Sequence, residues 1–432
     1  MTVKKRFYNW ALLFLLLSLS SGAQEPAVVA LLRTVPGAEV QEVAADTFFR
    51  KTWKVMLPQP LNHDHPGKGT FRQRLWVSWR DDEAPVVLIT EGYSAPAPYT
   101  SELARLTCAN QIIVEHRFFG RSLPDTLDWS CLTIRQAAAD HHNVYVLFRK
   151  VWRGKWISTG ISKGGQTTMY YRYFYPEDAD ICVPYVGPLN HSIVDSRIFA
   201  FLDTVGSDRC RRRIRAFQME VLQRRKEIFP LFQKWSEENG FTYRRAGGDS
   251  AAYEYAVMEY PFSFWQWGMA CEKIPKPGSA PEEIFDYLSK AGLYEYFSDE
   301  GIRKFEAFYY QAMTELGYYG YRPSLYQGEI RNVRDTTFRF AVPAGSHPRY
   351  DPSVMKRVER YLQTEGNRFL YIYGALDTWS ATAVRLHGPA EAVEIFKPGG
   401  CHTTRIRNLP DAQRHEVFRI LEKWLGRKII EP

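Results

Sequence analysis

Gly160-Ile161-Ser162-Lys163-Gly164 fits the pattern G-x-S-x-G, in which two glycines allow a turn tight enough to leave the central hydroxyl exposed. A serine hydroxyl is a weak nucleophile at neutral pH. It needs a histidine to take its proton and a carboxylate to orient that histidine. In the chain order Ser, Asp, His, the partners that stand in the right place are Asp377 and His402. Asp377 follows the apolar run Phe369 to Tyr373 across the turn Gly374-Ala375-Leu376, and Asp351 is the rival carboxylate. His402 ends the loop Lys397-Pro398-Gly399-Gly400-Cys401, after the run Val393 to Phe396. His63, His65, His116, His141, His142 and His191 lie too early or too far away, while His347, His387 and His415 lack a strand-to-loop setting. The chemistry implied is acyl transfer through a covalent serine intermediate.

Such a reaction also needs donors for the oxyanion that forms on the attacked carbonyl. One is the backbone N–H of Lys163, the residue after the serine. The second comes from the turn Glu91-Gly92-Tyr93, from either Gly92 or Tyr93.

These residues are useful only if strands hold them. Val86 to Thr90, Gln111 to Glu115, Trp156 to Thr159 and Ile181 to Tyr185 are short apolar runs bounded by turn residues, as buried parallel strands are. Helical patterns lie between them, at Leu132 to Val151 and at Gly164 to Tyr175, the latter closed by Pro176. Ser162 therefore sits between a strand and a helix, which separates this motif from a chance match. From about Asn190 to Phe340 the pattern turns helical and aromatic, with a basic helix at about Cys210 to Lys226 and the segment Tyr253 to Trp267. Strand signatures then return at Phe369 to Tyr373 and Val393 to Phe396, before an amphipathic helix at about Asp411 to Leu425. The expected fold is α/β, an α/β-hydrolase with a doubly wound, mostly parallel sheet and a helical cap inserted between strands. Its expected parts are a first core segment at 24–190, the cap at 191–340 and a second core segment at 341–432. No internal repeat or low-complexity segment is present.

With 45% apolar and 24% charged residues, the chain has the composition of a globular protein rather than a disordered one. Its net charge of +8 suggests a polyanionic partner, but Lys4, Lys5 and Arg6 contribute three of those charges and +5 remains without them. The basic triplet precedes an apolar run, Trp10 to Leu19, that is too short to span a bilayer and ends in Ser21-Gly22-Ala23. Residues 1–23 read as a signal peptide cleaved after Ala23, implying export to the periplasm or medium and no stable membrane anchor afterwards. Export allows disulfides among Cys108, Cys131, Cys182, Cys210, Cys271 and Cys401. Cys210 with Cys271 is one candidate pair, mostly reduced and buried cysteines the alternative, and Cys182 reads as a buried thiol. No spacing suits a metal site: His63-Asp64-His65 and His141-His142 do not converge, and no CxxC occurs. No phosphate-binding loop or dinucleotide fingerprint indicates a cofactor. The arginines at 211–213, 215, 224 and 225 read as a solvated helix face, not a nucleic-acid site.

Glu115-His116-Arg117-Phe118-Phe119-Gly120-Arg121-Ser122, Gln136-Ala137-Ala138-Ala139-Asp140 and Gly160 to Thr167 together resemble the bacterial secreted tripeptidyl aminopeptidase family of serine peptidases, the PS-ten type. A more distant resemblance is to the prolyl carboxypeptidase and dipeptidyl peptidase family. Its GGSYGG elbow reads GISKGG here, its LDPWS turn reads Leu376-Asp377-Thr378-Trp379-Ser380, and its GGxH reads Gly399-Gly400-Cys401-His402. Lys163 replaces the usual tyrosine and Thr378 the usual proline, so substrate preference does not carry over. The resemblance implies an exopeptidase that releases short peptides, such as tripeptides, from free N-termini, with Ser162, Asp377 and His402 as its triad. The cap of such an enzyme needs a carboxylate for the substrate's α-ammonium. Glu259 is the first candidate and Glu115 the second, Glu259 having the alternative of a solvated helix residue and Glu115 that of a structural partner for Arg117 or Arg121. Aromatics around Glu259, Trp265 among them, are candidates for an apolar subsite wall or for plain cap core. Fold and triad do not choose the acyl group, so a carboxylic-ester hydrolase or acyltransferase is the alternative enzyme, and a non-catalytic binding protein a third reading.

Overall fold

The computed structural model describes residues 26–431. The expected signal peptide and its cleavage point lie outside the described residues. Nine strands form one sheet: β1 (Glu39–Val43), β2 (Lys51–Pro60), β3 (Thr70–Trp79), β4 (Val86–Thr90), β5 (Asn110–Val114), β6 (Trp156–Ile161), β7 (Ile181–Tyr185), β8 (Leu370–Gly374) and β9 (Val393–Lys397). Their spatial order is β1-β2-β3-β5-β4-β6-β7-β8-β9. The strands from β5 and β4 through to β9 pair parallel, and β1, β2 and β3 form an antiparallel flank against β5. Helices Ile134–Phe148, Lys163–Phe174 and Ser353–Thr364 cover one face, and Glu102–Thr107 with Asp411–Leu425 cover the other. This is the α/β-hydrolase arrangement.

The topology decides where a site forms. β4 pairs with β5 on one side and β6 on the other, so the chain leaves β4 in one direction and returns on the opposite side. Connections that diverge in this way open a crevice beyond the carboxyl ends of the strands. The turn Glu91 to Tyr93 and the Ser162 elbow both emerge there.

Between β7 and β8 runs the helical insertion, with its own core of aromatic residues. Its central helix, Asp249–Trp267, is buried on nearly all sides, so no polar face tells its orientation from sequence. Pro261 lacks the N–H that would bond the Val257 carbonyl, and Gln218 Nε2 occupies that carbonyl instead at 2.6 Å. Cys210 and Cys271 form a disulfide within the insertion, while Cys108, Cys131, Cys182 and Cys401 are free. The same helix docks on the sheet at two points: the Thr378 hydroxyl donates to Phe262 O at 2.8 Å, and the His402 amide to Gln266 O at 2.9 Å.

Some boundaries differ from the pattern-based expectation. The strand expected at Phe369 to Tyr373 is β8, one residue further on, and the basic helix is two, Asp208–Gln223 and Arg225–Glu238. The flank β1 to β3 has no counterpart among the expected strands. Among the described residues no helix is long and apolar enough to cross a membrane.

Candidate active site

Ser162 lies between the end of β6 and the helix Lys163–Phe174 in a conformation side chains rarely adopt, φ 58° and ψ −123°. The strain is held by packing. A Cβ on Gly160 would lie 2.2 Å from Gly164 O, and one on Gly164 2.7 Å from Thr90 O, so the turn closes against the sheet only because both positions are glycine. The Ser162 amide donates to Tyr185 O at 2.8 Å, tying the elbow to β7. Among the described residues the Ser162 hydroxyl has no hydrogen-bond partner; it faces a cavity whose lining includes His402.

His402 and Asp377 are brought together from two loops that follow β9 and β8. Nδ1 of His402 lies 2.7 Å from Oδ2 of Asp377. A carboxylate only accepts, so Nδ1 carries the proton and Nε2 is left with a lone pair. Asp377 is fully buried, and its other oxygen accepts the Trp379 amide at 3.1 Å. The rival Asp351 accepts the amide and the hydroxyl of Ser353 at the start of a helix, and does not reach the site.

Gly92 packs directly on the elbow: a Cβ there would lie 2.6 Å from both Gly164 N and Lys163 Cβ. The Gly92, Tyr93 and Lys163 amides, the oxyanion candidates carried by the turn and the elbow on either side of this contact, have no acceptor among the described residues. Gly92→Ala is therefore expected to push the two apart, lowering kcat by about tenfold and stability by about 1–3 kcal/mol. Steady-state kinetics and a denaturant titration check both; an unaltered variant would show that the contact has slack.

The cavity has a volume of about 530 Å³, within the range of about 300–1,000 Å³ usual for small-ligand sites. Glu259 and Glu91 both line it. Glu259 accepts from the Tyr319 hydroxyl at 2.8 Å, the Tyr321 hydroxyl at 2.7 Å and the Ser263 hydroxyl at 3.1 Å. Among the described residues no cationic side chain pairs with it. Burial pushes its carboxyl up to about 7, the three hydroxyls opposing that rise. Glu91, bonded by the Tyr99 hydroxyl at 2.8 Å, is also raised, first by burial and last by the charge of Glu115.

Two candidates are placed elsewhere. Glu115 is fully buried and ion-paired with Arg74. It also accepts the Ala95, Arg121 and Ser122 amides and the Ser122 hydroxyl at 2.7–3.0 Å. Its acceptor capacity is used up, so it holds the loop after β5 rather than a substrate amine. Arg117 pairs with Asp140 instead. Trp265 faces a second cavity in the insertion, about 240 Å³, bordered by Arg211 and Tyr326. Trp267, which the sequence pattern does not single out, lines the site together with Trp379: it is 54% exposed, with its ring 5.7 Å from that of His402. Glu91 is the other residue missed, although its place directly after an apolar strand was a usable signal. Among the described residues no cluster of His, Cys, Asp and Glu could hold a metal ion.

The sequence profile of the PS-10 peptidase S37 family matches residues 25–429. A prolyl tri/tetrapeptidyl aminopeptidase of Streptomyces mobaraensis is 35% identical over 375 residues, covering 85% of this chain and 79% of that protein. Among solved structures, a proline iminopeptidase of Mycobacterium smegmatis is 14% identical, with 82% of this chain and 96% of that one covered and a TM-score of 0.37. An acetyl xylan esterase from Paenibacillus sp. R4 is 12% identical, with 92% of each chain covered and a TM-score of 0.37.

Proposed function

The chain belongs to the PS-10 peptidase S37 family and is a serine peptidase; from that premise we propose an exported aminopeptidase that releases short peptides, such as tripeptides, from free N-termini. Ser162 attacks the scissile carbonyl while His402 Nε2 takes its proton, and Asp377 holds the imidazole and stabilises the imidazolium. The Tyr93 and Lys163 amides receive the oxyanion. His402 then protonates the departing amine, leaving the N-terminal fragment esterified to Ser162, and water completes the cycle. Export rests on the basic and apolar N-terminal segment with its small-residue end.

One observation carries the aminopeptidase reading: Glu259 is a buried carboxylate with three hydroxyl donors and, among the described residues, no cationic side chain paired with it, in the cavity that holds Ser162 and His402. Burying a charge in this way is costly unless something pairs with it, and a substrate's α-ammonium is the matching partner. The distance from Ser162 to that anchor sets the length of the released fragment.

The test uses a fluorophosphonate probe on the wild type and Ser162→Ala, followed by chromogenic mono-, di- and tripeptidyl amides with free or acetylated N-termini. Labelling that depends on Ser162, with acetylation abolishing cleavage, is the expected result. Equal turnover of acetylated amides would remove the aminopeptidase assignment, and cleavage of esters alone would indicate an esterase.

A further inference from the structure

Lys163 contributes more than an amide to this site. Its side chain is 2% exposed, and Nζ donates to the Gly92 carbonyl at 2.8 Å. Nζ also lies 5.7 Å from the Tyr93 ring centroid and 5.4 Å from that of Phe119. The Gly92 carbonyl and the Tyr93 N–H belong to one peptide unit. No peptide bond among the described residues is cis, so in this planar unit the two groups point in opposite directions. Holding the carbonyl on one side therefore aims the N–H to the other.

Resting on the proposed role of the Tyr93 amide in oxyanion binding, we propose that Lys163 is the positioning residue of the oxyanion hole: its backbone supplies one donor and its ammonium or amine fixes the direction of the other. A single residue then determines the angle between both donors. Preorganisation of this kind matters because a donor that must reorient during the reaction loses most of its advantage. The contact at Gly92 fits the same device, since the missing Cβ lets the Lys163 side chain run back along the turn to reach the carbonyl. A buried amine is an expensive filler for an aromatic-lined gap. Burial does push Lys163 well below the usual lysine range, and the neutral amine keeps hydrogens to donate.

Lys163→Met nearly keeps the volume of the side chain, one atom shorter, and removes the donor; Gln has the same reach as Met. Expected is a fall in kcat of about 10²-fold with KM within about threefold, the pattern of an interaction made in the transition state. Affinity for a peptidyl boronate with a free amine, whose adduct carries the tetrahedral oxygen, falls by a similar factor, while affinity for the released tripeptide is unchanged. The melting temperature does not fall, because a buried amine is removed. Lys163→Gln, which retains a donor, regains most of the lost kcat.

Unchanged kcat in Lys163→Met, with Ser162 still labelled by fluorophosphonate, would overturn the clamp alone. So would equal losses of kcat, tripeptide affinity and melting temperature, the signature of a structural residue, or a Gln variant no faster than the Met variant. A wild-type enzyme that fails to label at Ser162 would overturn the clamp together with the proposed reaction.

Discussion

In an Asp377→Asn variant kcat for amide substrates falls by about 10⁴-fold with little change in KM. Asp377 is fully buried and accepts from His402 Nδ1 at 2.7 Å, so it defines which ring nitrogen carries the proton. An asparagine amide placed there donates to Nδ1 when its nitrogen faces the ring. The proton then moves to Nε2, which can no longer accept from Ser162. Both side chains are buried, so bulk solvent does not compensate. The fold should survive, since Oδ1 still accepts the Trp379 amide. Labelling of Ser162 by fluorophosphonate should slow in parallel with kcat, and melting should shift little. A loss below about tenfold would show that Asp377 does not orient the base.

The central strands β4 to β8 were readable because parallel strands buried on both faces are short, nearly continuous apolar runs. β4 and β7 match their expected bounds for that reason. β2 and β3 carry polar residues inside the protein. Gln59 Nε2 donates to Gln73 Oε1 at 2.9 Å, and Gln73 Nε2 to Glu115 O at 2.9 Å, while Arg74 pairs with Glu115. Hydropathy does not reveal a buried network of this kind, and Pro58 and Pro60 argue against a strand. The same network explains Glu115. Its setting in Glu115-His116-Arg117 looks chemical, but its partners, from Arg74 to Ser122, come together only in the folded sheet. Trp265 and Trp267 show a limit of another type. Two residues apart on a helix they point about 200° away from each other. Because Asp249–Trp267 is buried on nearly all sides and its carboxylates Glu254 and Glu259 are buried too, nothing in the sequence says which tryptophan faces Ser162.

The insertion does more than cover the crevice. The helix that bears Glu259 is bonded through Phe262 O to the turn after Asp377, and through Gln266 O to the amide of His402. The proposed amine anchor, acid and base are therefore referenced to one rigid element. Displacing that helix would alter both the length of peptide that fits and the alignment of the base.

Glu259→Gln should raise stability and lose activity at once. The folded carboxyl, at about 7, lies above its ordinary 4.5, so the native state binds the proton more tightly than the unfolded chain does. The ionised side chain accordingly costs stability, a cost that grows from pH 4.5 to about 7 and stays constant above. It amounts to about 3 kcal/mol at 1.36 kcal/mol per pH unit. Glutamine removes that cost, so urea denaturation should find the variant more stable at pH 8 and equal to wild type below pH 4.5. Activity moves the other way. Taking the carboxylate from a buried ammonium costs about 2–4 kcal/mol, so kcat/KM for free-amine substrates should fall by about 30- to 900-fold. Binding, measured without turnover, isolates this carboxyl. In the Ser162→Ala background, affinity for a free-amine tripeptide amide should weaken as pH falls below about 7, where Glu259 gains its proton. In Ser162→Ala/Glu259→Gln that acidic decline should vanish. A double variant that binds the free-amine peptide as tightly as the single one, with the same pH profile, would remove Glu259 as the anchor. An activity loss accompanied by lower stability at pH 8 would instead mark it as a structural residue.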